Sequence, residues 1–188
     1  RSYKPPKTAG QAYALLKPKR VPHVQGTEAE AVRLARRWGE DENAAAEAAI
    51  LHDITKRLTR EEQLILCDKY GIMVDNAERE SEKLLHARTG AALSRERFGV
   101  PENIYQAIRW HTTGKPEMTL LEKIIYLADY IEPTRDFPGV ERLRTLAYQN
   151  IDTAMALGLQ MCLDDLRSGG ITPHETTVSA LAYYRKDI

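Results

Sequence analysis

The chain has 188 residues, with 27 Lys and Arg against 27 Asp and Glu, so its formal net charge is zero. This balance excludes the general attraction by which basic proteins bind nucleic acid or membrane surfaces, so a phosphate site must come from a local cluster of cations. The two cysteines, Cys67 and Cys162, lie in apolar helical patterns without CxxC spacing, which predicts buried thiols in a reducing compartment. Because no apolar run approaches the roughly 20 residues of a membrane span, we expect a cytoplasmic protein.

The first helical patterns follow one another closely. The stretch "GTEAEAVRLARRWG" predicts a helix with Thr27 as N-cap, Glu30 completing a capping box and Gly39 at its end. The alanine-rich "ENAAAEAAILHDITKRL" predicts a second helix over residues 42–58. Small side chains in its first half would let a neighbouring helix approach closely.

The next patterns repeat this arrangement. In "TREEQLILCDKYG", Thr59 and Glu62 form a second capping box. A polar break over residues 73–80 separates this helix from "SEKLLHARTGAALSRERFG", which Gly99 ends. Both segments are predicted to be amphipathic helices of one bundle.

Four further helices are predicted in the second half. Pro101 opens "PENIYQAIRWHTTG" as a proline at the first helical position, and Thr119 caps "TLLEKIIYLADYIEP". The longest helical pattern runs from Val140 to about Arg167, and a last short helix starts around Thr176.

Strand-like alternation is absent from the sequence, and about eight helical patterns cover most of it. The predicted fold is an all-α helical bundle. Residues 1–16 are expected to be an N-terminal arm or linker, and residues 17–188 to form the single domain.

The pair His52 and Asp53 interrupts an apolar helix face, and Lys56 shares that face because it lies three and four residues further on. One interpretation is a histidine hydrogen-bonded inside a helix beside a solvated carboxylate. The other is a ligand pair for a metal ion, since the tips of neighbouring side chains can converge on one ion.

Asp129 breaks the apolar run of "KIIYLADYIEP". A buried carboxylate there costs several kcal/mol unless it is paired or binds a metal. The candidate partners are Arg135 and Lys123, and a metal role is the alternative.

His23 completes a set of two imidazoles and two carboxylates with His52, Asp53 and Asp129, although a surface histidine is the simpler interpretation of His23 alone. Such a set suits iron, manganese or zinc and leaves positions open for water or phosphate oxygens. Its wide spacing is natural when different helices of a bundle supply the ligands.

His86 and His111 each lie at the polar edge of an amphipathic pattern. Either can bind a second ion or phosphate, or can be a core-edge histidine satisfied by a backbone carbonyl.

The order of His23, "HD" at 52–53 and Asp129 resembles the HD superfamily of metal-dependent phosphohydrolases. Longer stretches are similar to the YqeK family of bacterial symmetrical dinucleoside tetraphosphate hydrolases. They are "RVPHVQGT", "AAILHDITK", "LLHARTGA", "AIRWHTTGKPEMTLLEKIIYLADYIEPTRDFPGVERLR" and "GGITPHETT". The resemblance runs from about Lys17 to the C-terminus and implies an HD-domain helical bundle.

The resemblance also implies a cofactor and a substrate site. His23, His52, Asp53 and Asp129 would bind an iron-type cation, with manganese, cobalt or zinc as alternatives and a second ion left open. A further set would surround the nucleotide: Arg20, Lys56, His86, His111, Arg135, Thr172, Pro173, His174, Glu175, Thr176 and Thr177.

The residue types suggest roles in hydrolysis. Asp53 is expected to orient the nucleophilic water, while Lys56 and Arg135 neutralise neighbouring phosphates. His111 or His86 would protonate the leaving phosphate, because free imidazole titrates near pH ~6.5. The expected reaction converts diadenosine tetraphosphate into two ADP.

Two other functions stay open at this point. One is an HD phosphohydrolase acting on a nucleoside diphosphate, a dNTP or a cyclic dinucleotide, which would use the same metal ligands. The other is a nucleotide-binding module without turnover. A homodimer through the 140–167 helix and an adenylyltransferase domain fused ahead of Arg1 are further expectations, and nucleic acid and membranes are not expected partners.

Overall fold

The computed structural model describes residues 6–186, and this part of the chain contains eleven α-helices, one 3-10 helix and no strand. The elements are α1 (Ala9–Ala14), the 3-10 helix (Pro18–Arg20), α2 (Val21–Trp38), α3 (Glu42–Leu51), α4 (Arg60–Lys69), α5 (Asn76–Arg79), α6 (Glu82–Phe98), α7 (Glu102–Arg109), α8 (Leu120–Ile131), α9 (Val140–Gln149), α10 (Ile151–Ser168) and α11 (Glu175–Arg185). The predicted all-α architecture is confirmed. No helix in residues 6–186 has both the length and the apolarity that a bilayer crossing needs.

The helix count of about eight was too low. Part of the predicted arm forms α1, whose Ala12 is fully buried in the core, and the polar break of residues 73–80 contains the short helix α5. The pattern predicted as one helix over residues 140–167 is two helices.

Asn150 separates α9 from α10. Its backbone is extended (φ −154°, ψ 103°), and its side-chain oxygen accepts a hydrogen bond from the Thr153 amide at 3.1 Å. An asparagine side chain can replace the backbone acceptor that a new helix lacks in its first turn. The apolar periodicity continues across this break, which explains why the sequence pattern read as one helix.

The predicted N-cap role of Thr27 is wrong. Helix α2 begins at Val21, with Pro22 in its first turn, and the buried Thr27 hydroxyl donates to the His23 carbonyl at 2.8 Å. A proline is favoured in the first turn because its missing N–H is not needed there. His23 therefore lies in the first turn of α2, where the helix axis fixes its direction. The two other predicted boxes, at Thr59 and Thr119, are confirmed.

Two helices end earlier than the sequence pattern predicts. Helix α3 stops at Leu51, and His52 is its C-cap, followed by a turn through residue 57. Helix α7 has Pro101 as its N-cap and ends at Arg109, so His111 lies in the following turn. Both predicted site segments therefore sit at helix ends, where side chains can converge from different directions.

The core brings these ends together. Helix α2 packs against α3 and α8, and α7 packs against α3, α6 and α8. Gly90 of α6 faces the turn after α3, because a Cβ added there would lie 3.3 Å from the Thr55 hydroxyl and 3.6 Å from the His52 carbonyl. This close approach places His86 of α6 beside Asp53. Of the two cysteines, both free, Cys67 is buried as predicted and Cys162 is half-buried.

Candidate metal and phosphate site

A cluster of histidines and aspartates lies where α2, α6 and α8 meet the turns after α3 and α7. Its buried members include His23, His52, Asp53, His86 and His111. Asp129 of α8 is partly exposed, so the cluster reaches the surface at that carboxylate.

Two groups of potential ligand atoms share His52. Nε2 of His23 lies 2.9 Å from Oδ1 of Asp129, and Nε2 of His52 lies 3.4 Å from the same oxygen. One group consists of His23, His52 and Asp129, the other of His52, Asp53 and His111, and the ligand atoms within each lie within 4.8 Å of one another. His23, His52 and Asp129 of the predicted set are therefore close enough to bind one metal ion, and Asp53 joins them through its contacts with His23 and His52 at 3.7 Å and 3.4 Å.

Hydrogen bonds on the outer side of each ring fix its orientation. Nδ1 of His23 donates to Oε2 of Glu132 at 3.0 Å, Nδ1 of His52 donates to the Ala49 carbonyl at 2.5 Å, and Nδ1 of His111 donates to the Ile108 carbonyl at 2.6 Å. With a proton on Nδ1, each ring turns its Nε2 inward, and in the neutral form of the ring this nitrogen presents a lone pair. Such outer hydrogen bonds are the usual support of histidine ligands to metals.

The inward nitrogens fit a metal ion. Nε2 of His23 and Nε2 of His52 are buried and make no hydrogen bond, although carboxylate oxygens are near both atoms. Buried polar atoms without partners are rare because each costs desolvation free energy. A cation bound between the two rings and the two carboxylates would satisfy all of these atoms at once.

The field of the carboxylates favours positive charge at this point. Burial lowers the pKa of His52, but Asp53 and Asp129 outweigh it and raise that pKa to about 9. Burial alone would raise the pKa of Asp53, yet His52 and His86 hold it well below its usual range. Burial would also raise the pKa of Asp129, but His23 and His52 hold it well below its usual range, so both aspartates are ionised and attract a cation.

His86 and His111 form a hydrogen-bonded pair, and their contacts determine which ring nitrogen carries the proton. Their Nε2 atoms lie 3.1 Å apart, and the Nε2 of His111 is the acceptor because its proton is on Nδ1. The Nε2–H of His86 is therefore the donor, and it also lies 3.3 Å from Oδ1 of Asp53. Burial and the two neighbouring imidazoles lower the pKa of His111 to about 3, so its ring is neutral.

A cavity opens at the cluster, and cationic side chains surround it. We call it the central cavity. It measures about 250 Å³, and its lining includes Arg20, Lys56, Lys83 and Arg135. Nη2 of Arg20 donates to Oδ2 of Asp53 at 2.6 Å, and Nη2 of Arg135 donates to Oδ1 of Asp129 at 3.2 Å.

Of the two partners predicted for Asp129, Arg135 is paired with it and Lys123 is not, and the metal role stays a prediction. Asp129 also belongs to the cluster, whereas Lys123 pairs instead with Asp152 at 2.8 Å.

The segment Thr172–Thr177 lies apart from this cluster. His174 caps α11 by accepting a hydrogen bond from the Thr176 amide at 3.1 Å, and its other ring nitrogen lies 2.7 Å from Asp75. None of the residues 172–177 is among the described residues that line the central cavity. Their contact with a nucleotide stays a prediction, and this applies to Thr172, Pro173, His174, Glu175, Thr176 and Thr177 alike.

Sequence reasoning missed several residues that line or support the site, among them Glu132 and Lys83. Glu132 is fully buried and orients His23, and Lys83 adds a cation to the central cavity. Helical spacing offered a signal in both cases, since Glu132 lies three residues after Asp129 and Lys83 three residues before His86.

The chain is similar to known proteins over most of its length. The HD domain family matches residues 20–134. A symmetrical bis(5'-nucleosyl)-tetraphosphatase of Halalkalibacterium halodurans is 43% identical over 155 residues, covering 80% of this chain and 82% of that protein. The protein of the same name from Bacillus subtilis is 45% identical over 136 residues, covering 71% of this chain and 72% of that protein.

A solved structure gives the same result for the fold. The crystal structure of a predicted HD superfamily hydrolase involved in NAD metabolism, from Clostridium acetobutylicum, superposes with a TM-score of 0.92 at 34% sequence identity and covers 97% of each chain. Similarity in sequence and in fold thus agrees with the histidine and aspartate cluster. The chain belongs to the HD superfamily and, within it, to the YqeK family of symmetrical bis(5'-nucleosyl)-tetraphosphatases.

Proposed function

We propose that this protein hydrolyses diadenosine tetraphosphate at its centre and releases two ADP, in line with the name of its relatives. One observation carries the proposal: the unpartnered Nε2 atoms of His23 and His52 lie beside Asp129, and this carboxylate lines a cavity together with four cationic side chains. Polyphosphate hydrolysis needs charge neutralisation on the phosphoryl oxygens together with a nucleophilic water. The site offers ligands for a metal ion and cationic side chains for the phosphates in one place.

We propose iron as the resident metal, held by His23, His52, Asp53 and Asp129. Imidazole and carboxylate ligands suit iron, and they also suit manganese, cobalt or zinc. When bound, such an ion would polarise the phosphoanhydride and lower the pKa of water. The group of His52, Asp53 and His111 is the candidate place for a second ion.

The cationic side chains would bind the phosphates. Lys56 has no carboxylate within ion-pair distance among the described residues, so its ammonium is available to a phosphate oxygen. Arg20 uses Nη2 on Asp53, and Arg135 uses Nε and Nη2 on the carbonyl and carboxylate of Asp129, so each would present its remaining N–H groups to the substrate. These contacts would place the central bridging oxygen of the tetraphosphate at the cluster.

Asp53 would orient the attacking water by accepting its hydrogen bond. The low pKa of its carboxyl keeps it ionised, and the Arg20 contact fixes its second oxygen. Water would attack one of the two inner phosphorus atoms, and the central bridging oxygen would leave with the other ADP.

The proton positions distinguish His86 from His111. His86 carries its proton on the nitrogen facing the cluster, so it would donate a hydrogen bond to the departing phosphate. His111 is neutral and presents a lone pair, which would make it an acceptor or a ligand. We therefore favour His86 over His111 as the group that stabilises the leaving ADP.

The relatives named above are bacterial, and we propose a bacterial cytoplasmic location. The homodimer and the fused adenylyltransferase domain stay predictions.

The test is turnover by the iron-loaded protein with a panel of nucleotides under anaerobic conditions. We expect diadenosine tetraphosphate to be hydrolysed, with nucleoside diphosphates, dNTPs and cyclic dinucleotides left largely intact. Hydrolysis of one of these nucleotides in preference to the tetraphosphate would reject the proposed substrate. Metal bound without hydrolysis of any of them would indicate a nucleotide-binding module.

A further inference from the structure

A second cavity adjoins the central cavity on the side of the N-terminal elements, and we call it the basic cavity. It measures about 420 Å³ and shares Arg20, Asp53 and Lys56 with the central cavity. The two cavities are therefore neighbours that share the Arg20–Asp53 ion pair.

The charge of the basic cavity is strongly one-sided. Lys17, Lys19 and Arg57 line it in addition to Arg20 and Lys56, whereas Asp53 is the one carboxylate among its described lining residues. Within residues 6–186, no carboxylate lies at ion-pair distance from Lys17, Lys19 or Arg57. Several unpaired cations around one concave space repel one another unless an anion binds among them.

Arg20 provides a second indication of a ligand. Its Nη2 pairs with Asp53, but its Nε is buried and has no acceptor. A phosphate oxygen would satisfy this donor, because guanidinium groups bind phosphates through two parallel N–H groups. Arg20 lines both cavities, so such a phosphate would lie at their junction.

The proposed substrate has two identical halves that meet at the bond to be cleaved. Cleavage at the centre requires one nucleoside diphosphate on each side of the cluster, and the central cavity alone accounts for one side. The volume of the basic cavity falls in the range of about 300–1,000 Å³ that is usual for small-molecule sites.

We propose that the basic cavity binds the second nucleoside diphosphate of the substrate, with Lys17, Lys19 and Arg57 contacting its phosphates. This inference rests on the proposed function. It assigns the two halves of one substrate to different side chains: Lys83 and Arg135 on the side of the central cavity, and Lys17, Lys19 and Arg57 on the other. Arg20 and Lys56 lie between them and would contact the inner phosphates.

The test compares charge reversals of matched exposed residues. The double variant Lys19→Glu/Arg57→Glu changes the basic cavity, and Lys69→Glu, on the exposed surface of α4 away from both cavities, is the control for general electrostatic attraction. Each iron-loaded protein is titrated calorimetrically with ADP, and the Michaelis constant for diadenosine tetraphosphate is measured at constant ionic strength. If the double variant loses its helical circular dichroism, Lys19→Ala and Arg57→Ala replace it.

We expect two ADP molecules per wild-type chain and one per double variant. The Michaelis constant of the double variant should rise roughly tenfold to a hundredfold, the range equivalent to one charge-assisted hydrogen bond. Lys69→Glu should leave both quantities unchanged. One ADP per chain in wild type and variant alike, or equal rises in the Michaelis constant for both variants, would overturn the inference.

The ADP titration separates this inference from the proposed function. Suppose that the wild-type protein shows no turnover but binds two ADP molecules, and that the double variant binds one. This result would contradict the proposed function and retain the basic cavity as a nucleotide site. Turnover with unchanged ADP binding in the double variant would retain the function and overturn the cavity assignment.

Discussion

Glu132 lies against Nδ1 of His23, 3.0 Å away, and its side chain is fully buried at the end of α8. The same carboxylate accepts hydrogen bonds from the backbone and hydroxyl of Thr134. Glu132 therefore connects the orientation of a candidate metal ligand on α2 to the loop after α8. Its oxygens accept all three hydrogen bonds, so the orientation of the His23 ring depends on a side chain that offers acceptors at this position.

We expect Glu132→Gln to lower the affinity for iron by roughly 10- to 100-fold, the usual cost of losing a support of a metal ligand. An amide replaces one acceptor oxygen with a donor, so either His23 or Thr134 loses its partner. Competition with a chelator of known affinity measures the change, and circular dichroism checks that the helices are intact.

Gly26 allows an independent test of the same contact. A Cβ at Gly26 would lie 2.9 Å from Oε2 of Glu132 and 3.4 Å from Pro133, so Gly26→Ala should displace the carboxylate and weaken iron binding. Gly10→Ala is the control, because nothing lies within 4 Å of a Cβ there. Equal iron affinity in Gly26→Ala and Gly10→Ala would show that the position of Glu132 is unimportant.

We expect Asp129→Ala to abolish iron binding and turnover without unfolding the bundle. The carboxylate lies near the Nε2 atoms of both His23 and His52, and it is partly exposed, so its loss leaves no apolar cavity in the core. Metal analysis after gel filtration and a thermal melt measure the two effects. Asp68→Ala, at an exposed position of α4, serves as the control. An Asp129→Ala protein with normal metal content and rate would remove this residue from the site.

Lys56→Ala is expected to retain iron and to raise the Michaelis constant for diadenosine tetraphosphate roughly tenfold, as for one lost charge-assisted hydrogen bond. The reason is that Lys56 lines the cavity but lies outside the two groups of ligand atoms. Steady-state kinetics with Lys69→Ala as control measure the effect. Kinetics like those of the wild type would place Lys56 in solvent throughout the reaction.

Asn150→Ala should lower the free energy of unfolding by about 0.5–2 kcal/mol, the usual cost of removing a helix N-cap. Asn150→Asp keeps an oxygen that can accept from the Thr153 amide and should retain most of this stability. Urea denaturation of the three proteins makes the comparison. A wild-type midpoint for Asn150→Ala would mean that the break between α9 and α10 does not depend on this cap.

The helical architecture followed from apolar periodicity, which marks the helices in the sequence. The grouping of His23, His52, Asp53 and Asp129 was one of two interpretations open from the residues, and the resemblance to the HD superfamily favoured it. Helix boundaries were less predictable. Thr27 has the local pattern of an N-cap, but the proline at position 22 starts the helix earlier and buries Thr27 inside it. A local sequence pattern does not show which of two possible helix N-termini the folded chain uses.

The missed residues depended on tertiary contacts. Glu132 looks like an ordinary residue at a helix end, and its burial beside His23 arises only when α8 packs against α2. The helix break at Asn150 was missed for a similar reason. An asparagine within an apolar periodicity is compatible with a helix interior as well as with a break. The proton positions of His86 and His111 also required coordinates, because they follow from the carbonyl of Ile108.

Product analysis of the iron-loaded protein after incubation with diadenosine tetraphosphate tests the central claim most directly. Cleavage at the central bridging oxygen predicts ADP as the sole nucleotide product. AMP together with ATP would place the cluster over an outer phosphoanhydride and contradict the account.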